Sequence, residues 1–242
     1  MISVVRVGLL LDNNEVVIWH GHLATKNVNY QEYWRILAET EKTHAAKIKN
    51  NLLQMRYVEV HGRVRSLLGQ TIGQLPEKIS IKKTKHGKPY LEEYPDFEFN
   101  IAHSNDRLSL VIGWHCRLGI DIEVCKPRNN LTGLVNKCFA LEEQIFWKKL
   151  PENEKKNEFY RFWTRKEAFV KATGYGIVLG LNRCVINPEN PMKFIRIPKV
   201  CGNISEWYLH DIDLGLDVCS ALVTNKKISN IRLVNIKNHD IN

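Results

Sequence analysis

The sequence lacks the marks of a membrane protein and of a disulfide-stapled secreted domain. No apolar stretch approaches the roughly 20 residues that a membrane-spanning helix needs, so no membrane association is expected. The six cysteines are scattered, with no Cys-x-x-Cys pair and no paired spacing. Reduced, mostly buried thiols are therefore expected, and a structural zinc site is not.

The sequence also lacks a convincing secretory leader. Residues 4–11 form a short apolar run, but this run contains Arg6 and is followed directly by Asp12. A first β-strand explains that pattern better than a signal peptide does. The cytoplasm is therefore the expected location.

An arginine-rich arm is missing too, although the chain is basic. Lysine and arginine number 35 against 26 acidic residues, which gives a net charge of +9. The basic residues recur in short groups, at residues 42–49, 63–65, 82–88 and 148–156. A basic surface attracts polyanions such as nucleic acid, anionic lipid, a phosphorylated small molecule or an acidic protein. Each group by itself is most simply a solvated face.

The order of predicted elements points to an α+β fold. The 44% hydrophobic and 25% charged content is that of an ordinary globular protein. Residues 30–50 are polar and helix-prone, and apolar periodicity predicts helices at residues 53–69, 131–139, 141–150 and 153–173. Strands are predicted at residues 4–11, 16–19, 79–84, 97–102, 108–113, 119–124, 184–186, 193–197, 207–213, 218–223 and 231–234. Strands, helices and strands thus follow one another twice, before and after about residue 117, without a convincing residue-level repeat.

The first candidate site lies on a short strand at residues 119–123, with the sequence GIDIE. Alternate residues of a strand share a face, so Asp121 and Glu123 project together while the two isoleucines enter the core. Two carboxylates on one face repel each other unless they are solvated or bridged by a cation. Oxygen-rich sites of this kind suit magnesium. A half-exposed edge strand is an equally good explanation of this motif alone.

The second candidate site lies on a helix at residues 162–171, with the sequence FWTRKEAFVK. Helical spacing places Glu167 and Lys171 on one face, with Trp163 one turn earlier. A surface ion pair is the default interpretation of such spacing. The nearby aromatic residues favour a partly buried face, where the carboxylate could hold a metal and the ammonium a phosphate.

Two weaker motifs precede these. Residues 99–104, FNIAHS, predict a strand that runs into a polar turn. His103 could be a capped loop histidine, which is the commoner case, or it could donate to a phosphate. Lys88 stands in a Gly-Lys-Pro turn at residues 87–89, which means little by itself. Residues 174–180 resemble a dinucleotide fingerprint, but its third glycine is one residue late and it follows a helix, so we reject it.

Taken in chain order, these four motifs resemble the series found in the Sfp-type 4'-phosphopantetheinyl transferases. The resemblance extends from about residue 56 to residue 176, and the tryptophan-to-lysine motif of the second site is its most diagnostic part. It implies an α+β fold of two pseudo-symmetric halves, residues 1–117 and 118–242. Coenzyme A would bind in the cleft between them. The family usually has Ser-His-Ser where this chain has Ala102, His103 and Ser104, so one hydroxyl contact is absent.

The resemblance also implies roles for individual residues. Asp121, Glu123 and Glu167 would surround a magnesium ion, which manganese could replace. Lys171 would contact phosphate. The remaining contacts to coenzyme A would come from Arg56, Lys88, His103 and Ser104.

The activity that the resemblance implies is that of a holo-[acyl-carrier-protein] synthase, EC 2.7.8.7. Such an enzyme moves phosphopantetheine from coenzyme A to a serine hydroxyl of an apo acyl or peptidyl carrier protein. Glu167 would be the general base, Lys171 would neutralise the leaving group, and Asp121 would help to hold the metal. The carrier would be acidic, which accounts for the basic charge without nucleic acid. A monomer is expected by analogy.

Two rival functions remain open to test. A magnesium nuclease would suit the basic charge, but its Glu-x-Lys spacing is not found after Glu123 or Glu167. The other rival is a non-catalytic basic module that binds carrier proteins or nucleic acid.

Overall fold

The order of strands and helices follows the pattern that the sequence predicts, except for an additional short strand at residues 89–91. The computed structural model describes residues 12–23 and 29–236. Its first part comprises β1 (Glu15–His22), α1 (Tyr30–Ile36), α2 (Glu39–Ala46), α3 (Asn51–Ile72), β2 (Ile81–Lys83), β3 (Pro89–Leu91), β4 (Phe97–Ser104) and β5 (Arg107–Trp114). Its second part comprises β6 (Leu118–Val124), α4 (Leu131–Cys138), α5 (Leu141–Lys149), α6 (Glu152–Thr173), β7 (Val185–Ile186), β8 (Phe194–Arg196), β9 (Tyr208–Asp211), β10 (Val218–Thr224) and β11 (Asn230–Asn235). The fold is α+β, as predicted.

Two antiparallel-rich sheets form the centre of the molecule. The larger has the strand order β11-β1-β5-β4, and the smaller has the order β6-β10-β9. Strand β11 lies parallel to β1, with Leu233 opposite Ile18. The last described strand therefore lies in the same sheet as the first described strand. The division into halves at residue 117 stays a prediction.

An apolar layer joins the two sheets. It contains Ile18 and Val111 from the larger sheet and Ile120, Ile122 and Leu222 from the smaller one, all almost fully buried. Because both sheets contribute to this layer, the edges β4 and β6 are held in fixed relation. A second apolar cluster lies between the larger sheet and α3, and a third surrounds α6.

Helix α6 packs directly against β6 because Gly119 has no side chain. A Cβ atom at Gly119 would lie 2.3 Å from both the carbonyl oxygen of Ala168 and the nitrogen of Ala172. No other residue allows the helix to approach the strand so closely. Helix α6 ends at Gly174, whose φ of 73° is the left-handed conformation predicted for that position.

The remaining differences from the sequence prediction are local. The helix-prone region 30–50 divides into α1 and α2, which are separated at Leu37 and Ala38. Helix α3 continues about one turn past its predicted end near Gly69 and stops at Gly73, where φ is 71°. The predicted strand at residues 4–11 lies outside the described residues. Within the described part of the chain, no helix is long and apolar enough to cross a membrane.

Candidate active site

The alternation predicted for the GIDIE strand is confirmed. Ile120 and Ile122 are buried in the layer between the sheets, while Asp121 and Glu123 point to the opposite face of β6. Asp121 is only 7% exposed, and Glu123 is half-buried. The strand therefore presents one deeply placed carboxylate and one shallower carboxylate to α6.

Helix α6 brings a lysine to the deeper of the two carboxylates. Lys171 Nζ lies 2.6 Å from Asp121 Oδ1 and donates a second hydrogen bond to the carbonyl oxygen of Ile120 at 3.2 Å. The close packing at Gly119 places this part of the helix directly above the strand. The two strongest sequence motifs therefore meet in space, although residues 121 and 171 are 50 positions apart.

Glu167 lies one turn before Lys171 and completes a group of three acids. Burial, with smaller contributions from the charges of Glu167 and Glu123, raises the pKa of Asp121 to about 7, although Lys171 acts in the opposite direction. Burial also raises the pKa of Glu167, with Lys171 lowering it and Glu123 raising it. Each carboxylate thus feels the charge of its neighbours, as expected for acids that share one small region.

The chemistry of this acidic group fits a hard divalent cation. All three donors are carboxylates, the ligand type that magnesium prefers. Asp121 Oδ2 is buried and has no hydrogen-bond partner in the part of the chain that the structure describes, a costly arrangement that a cation would relieve. Among the described residues, however, no three acidic, histidine or cysteine side chains already converge as a ligand set. Binding one ion to all three acids therefore requires some of their present contacts to rearrange.

One of those present contacts comes from Ser104. Its Oγ donates to Glu123 Oε2 at 2.8 Å and accepts from the backbone nitrogen of Val124 at 3.2 Å. The sequence predicted Ser104 as a contact to coenzyme A. In the structure, its hydroxyl is hydrogen-bonded to Glu123 and Val124 of β6.

Asn100 is a residue that sequence reasoning missed. It is 5% exposed, and its Oδ1 accepts a hydrogen bond from the backbone nitrogen of Ile120 at 2.9 Å. Asn100 and Ser104 share a face of β4 and bond to β6 on either side of Asp121 and Glu123. They therefore hold the strand that carries these two acids. The available signal was a polar residue at an inward position of a predicted strand.

The other three residues predicted to contact coenzyme A, which are His103, Lys88 and Arg56, lie in different parts of the structure. His103 is exposed beside the acidic group, and its pKa is lowered by burial of part of the ring and then by the charge of Lys171. Lys88 pairs with Glu98 at 2.7 Å and donates to the carbonyl oxygen of Ala172 at 3.2 Å. Arg56 lies on α3, and its Nε is buried without a partner among the described residues. The structure thus gathers His103 with the acids and holds Lys88 at the end of α6.

The two basic residues before Glu167 serve the packing of α6. Arg165 makes two hydrogen bonds to Asp211 of β9, at 2.9 and 2.6 Å. Lys166 is fully buried and pairs with the equally buried Glu143 of α5 at 2.7 Å. Burial raises the pKa of Glu143 and lowers that of Lys166, while the charge of each partner opposes the shift. These pairs fix the rotation of the helix and hence the direction in which Glu167 points.

Comparison with known proteins shows which family has similar sequences. A family model described as the 4'-phosphopantetheinyl transferase superfamily matches residues 117–222, which include β6 and α6. The chain is 29% identical over 194 residues to the 4'-phosphopantetheinyl transferase HetI of a Nostoc species, covering 78% of this chain and 82% of that protein. It is 30% identical over 187 residues to slr0495 of a Synechocystis species, a protein provisionally given the same transferase name, covering 76% and 75%. The 4'-phosphopantetheinyl transferase gsp of Aneurinibacillus migulanus is 31% identical over 137 residues, covering 53% and 56%.

Proposed function

The chain belongs to the 4'-phosphopantetheinyl transferase family, and from that premise we propose that it is a magnesium-dependent holo-[acyl-carrier-protein] synthase, EC 2.7.8.7. It would transfer phosphopantetheine from coenzyme A to a serine hydroxyl of an apo acyl or peptidyl carrier protein and release adenosine 3',5'-bisphosphate. The observation that carries this proposal is the meeting of Asp121, Glu167 and Lys171 between β6 and α6.

The three acids are the proposed metal ligands. Asp121, Glu123 and Glu167 would hold magnesium, with manganese as a possible replacement, and the unpartnered Oδ2 of Asp121 supports this assignment. The ion, when bound, supplies positive charge to the pyrophosphate oxygens. Lys171 Nζ would add a second positive charge by donating to the leaving phosphate oxygen. Its present bond to Asp121, at 2.6 Å, supports this role.

Glu167 is the proposed general base. Catalytic bases work best when their pKa approaches the operating pH, and burial shifts the pKa of Glu167 in that direction. Its carboxylate would accept the proton of the carrier serine as the hydroxyl attacks phosphorus. Phosphoryl transfer needs mainly positioning and electrostatic stabilisation, and this site offers both through rigidly packed strand and helix residues.

The proposed contacts to coenzyme A come from β4, from α3 and from the turn that precedes β3. His103 would donate to the 3'-phosphate, and Arg56 and Lys88 would contact the nucleotide part. For Lys88 and Ser104 to do so, the nucleotide would have to compete with Glu98 and Glu123, their present partners. The cleft between residues 1–117 and 118–242 is the proposed place of binding.

The proposed partner is an acidic carrier protein. A net charge of +9 would accelerate its encounter with the enzyme and would make the rate sensitive to salt. We propose a cytoplasmic monomer that acts without nucleic acid or membrane.

The decisive experiment measures the mass of an apo carrier protein after incubation with coenzyme A, magnesium and this chain. The expected result is the addition of one phosphopantetheine group. Glu167→Gln should abolish the addition, whereas Glu154→Gln, an exposed acid on the same helix, should leave it unchanged. A carrier that binds but gains no mass would overturn the proposal in favour of a non-catalytic binding module.

A further inference from the structure

Two of the six cysteines lie against each other outside the machinery described above. Cys125 Sγ is 3.0 Å from Cys219 Sγ. Both thiols are free and half-buried, while Cys116, Cys138 and Cys184 are buried. The contact joins two residues that are 94 positions apart, so it arises from the fold alone.

The register of the smaller sheet produces this contact. Cys219 of β10 stands opposite Glu123, and Val218 stands opposite Val124. Cys125 follows directly, and its backbone nitrogen donates to the carbonyl oxygen of Asp217 at 2.9 Å. Cys125 and Cys219 are therefore diagonal neighbours across two hydrogen-bonded strands, with their sulfur atoms turned towards each other.

The surroundings of the pair allow a small reagent to reach it. Neither side chain is fully buried, and the nearest backbone acceptors are distant: Glu123 O lies 3.8 Å from Cys125 Sγ and Asn157 O lies 4.0 Å from Cys219 Sγ. A disulfide has an S–S distance of about 2.05 Å, so closure moves the sulfur atoms together by about 1 Å.

We propose that Cys125 and Cys219 form a reversible disulfide when the folded protein reacts with a peroxide. One thiol attacks the peroxide, which forms an S–O bond, breaks the O–O bond and leaves a sulfenic acid and water. The second thiol then attacks that sulfur, which forms the S–S bond and releases a second water. In total, two thiols lose two electrons and two protons to one peroxide. A dithiol reductant reverses the reaction by exchange.

The proposed disulfide would lie close to the acidic residues of β6. It would link the end of β6 to β10 only two residues after Glu123, beside α6. The proposed modification site is therefore continuous with the strand that carries the acids. It does not depend on the proposed transferase activity.

The test is peroxide treatment of the folded, reduced protein followed by thiol counting and peptide mass mapping. The expected result is a fall from six free thiols to four, a linked pair of peptides containing Cys125 and Cys219, and recovery of six thiols after dithiothreitol treatment. Cys219→Ser should give no linked peptides. Cys201→Ser, which removes a buried thiol elsewhere, should still give the same linked pair.

Three results would overturn the proposal: no loss of thiols, a link between other cysteines, or links only between separate chains. Repeating the reaction in guanidinium chloride gives a further control, since unfolding should abolish the preference for this pair. The mass readout also separates this inference from the function proposed above. A protein that forms the bond but leaves the carrier unmodified would refute only the transferase.

Discussion

Two adjacent glutamates on α5 allow a matched test of how burial affects the contribution of an ion pair to protein stability. Glu143 is fully buried, pairs with the buried Lys166 at 2.7 Å, and accepts from the backbone nitrogens of Ala140 and Ile186 at 2.7 and 2.8 Å. Glu142 is 41% exposed and pairs with Arg196, which is 57% exposed, at 3.0 Å. The two residues are of the same type and lie on the same helix, but one is buried and the other is exposed.

Glu143→Ala should be strongly destabilising. Among the described residues, it leaves the buried Lys166 ammonium with the carbonyl oxygens of Leu181 and Cys184 as its hydrogen-bond partners. It also removes the acceptor of two backbone N–H groups. Removing one member of a buried pair costs about 3–5 kcal/mol. For a chain of this length, each kcal/mol lowers the midpoint of thermal unfolding by about 2–4 °C, so the expected fall is about 6–20 °C.

Glu142→Ala is the control, because exposed pairs contribute only about 0–1 kcal/mol. Its midpoint should therefore fall by no more than about 4 °C. Thermal unfolding followed by circular dichroism measures both variants under identical conditions. Equal shifts for the two variants would refute the reasoning.

A double variant separates the loss of a charge partner from the loss of packing. Glu143→Gln combined with Lys166→Met removes both buried charges but keeps an amide oxygen near the two backbone N–H groups. Because no buried ammonium is then left unpaired, this protein should unfold at a higher temperature than Glu143→Ala. A lower midpoint in the double variant would show that packing, and not the uncompensated charge, dominates.

Three further predictions concern the site and its surroundings. Asp121→Asn, in a variant that circular dichroism shows to be folded, should lower the rate of carrier modification on the order of 10²–10³-fold, as should chelation of divalent cations; an unaltered rate would remove Asp121 from the mechanism. Asn100→Ala removes the acceptor for the nitrogen of Ile120, so kcat should fall about 10–100-fold with a higher magnesium requirement; an unchanged magnesium titration would contradict a positioning role. Burial lowers the pKa of His61 and His210 from 6.5, so their contribution to stability is present above pH 6.5 and is lost as pH falls through that value towards the folded-state pKa. The unfolding midpoint should accordingly drop less between pH 7 and 5 in His61→Gln, and a larger drop in that variant would contradict the assignment.

The local patterns of the sequence predicted those parts of the site that depend on strand or helix period. Alternation along β6 placed Asp121 and Glu123 opposite the buried isoleucines, as the structure confirms. Helical spacing placed Glu167 and Lys171 one turn apart, and Gly174 was correctly predicted to end α6. These features depend on interactions within a few residues along the chain, so they can be predicted from the local sequence.

Only the tertiary structure decided which side chains became partners. Nothing local to Asn100 indicates that it bonds to the backbone of β6, and nothing local to Lys88 indicates its pairing with Glu98. Lys166 stands next to Glu167 in the sequence, yet the first is sealed in the core and the second faces the acids.

The sequence by itself therefore determined most of the described elements, the buried face of β6 and the residue types at the site. The tertiary structure determined that β11 returns to β1, that Lys171 meets Asp121, and that two thiols touch. The physical reason is range: backbone period and capping act over a few residues, whereas packing, such as that of Ala168 against Gly119, selects partners that are far apart in the chain.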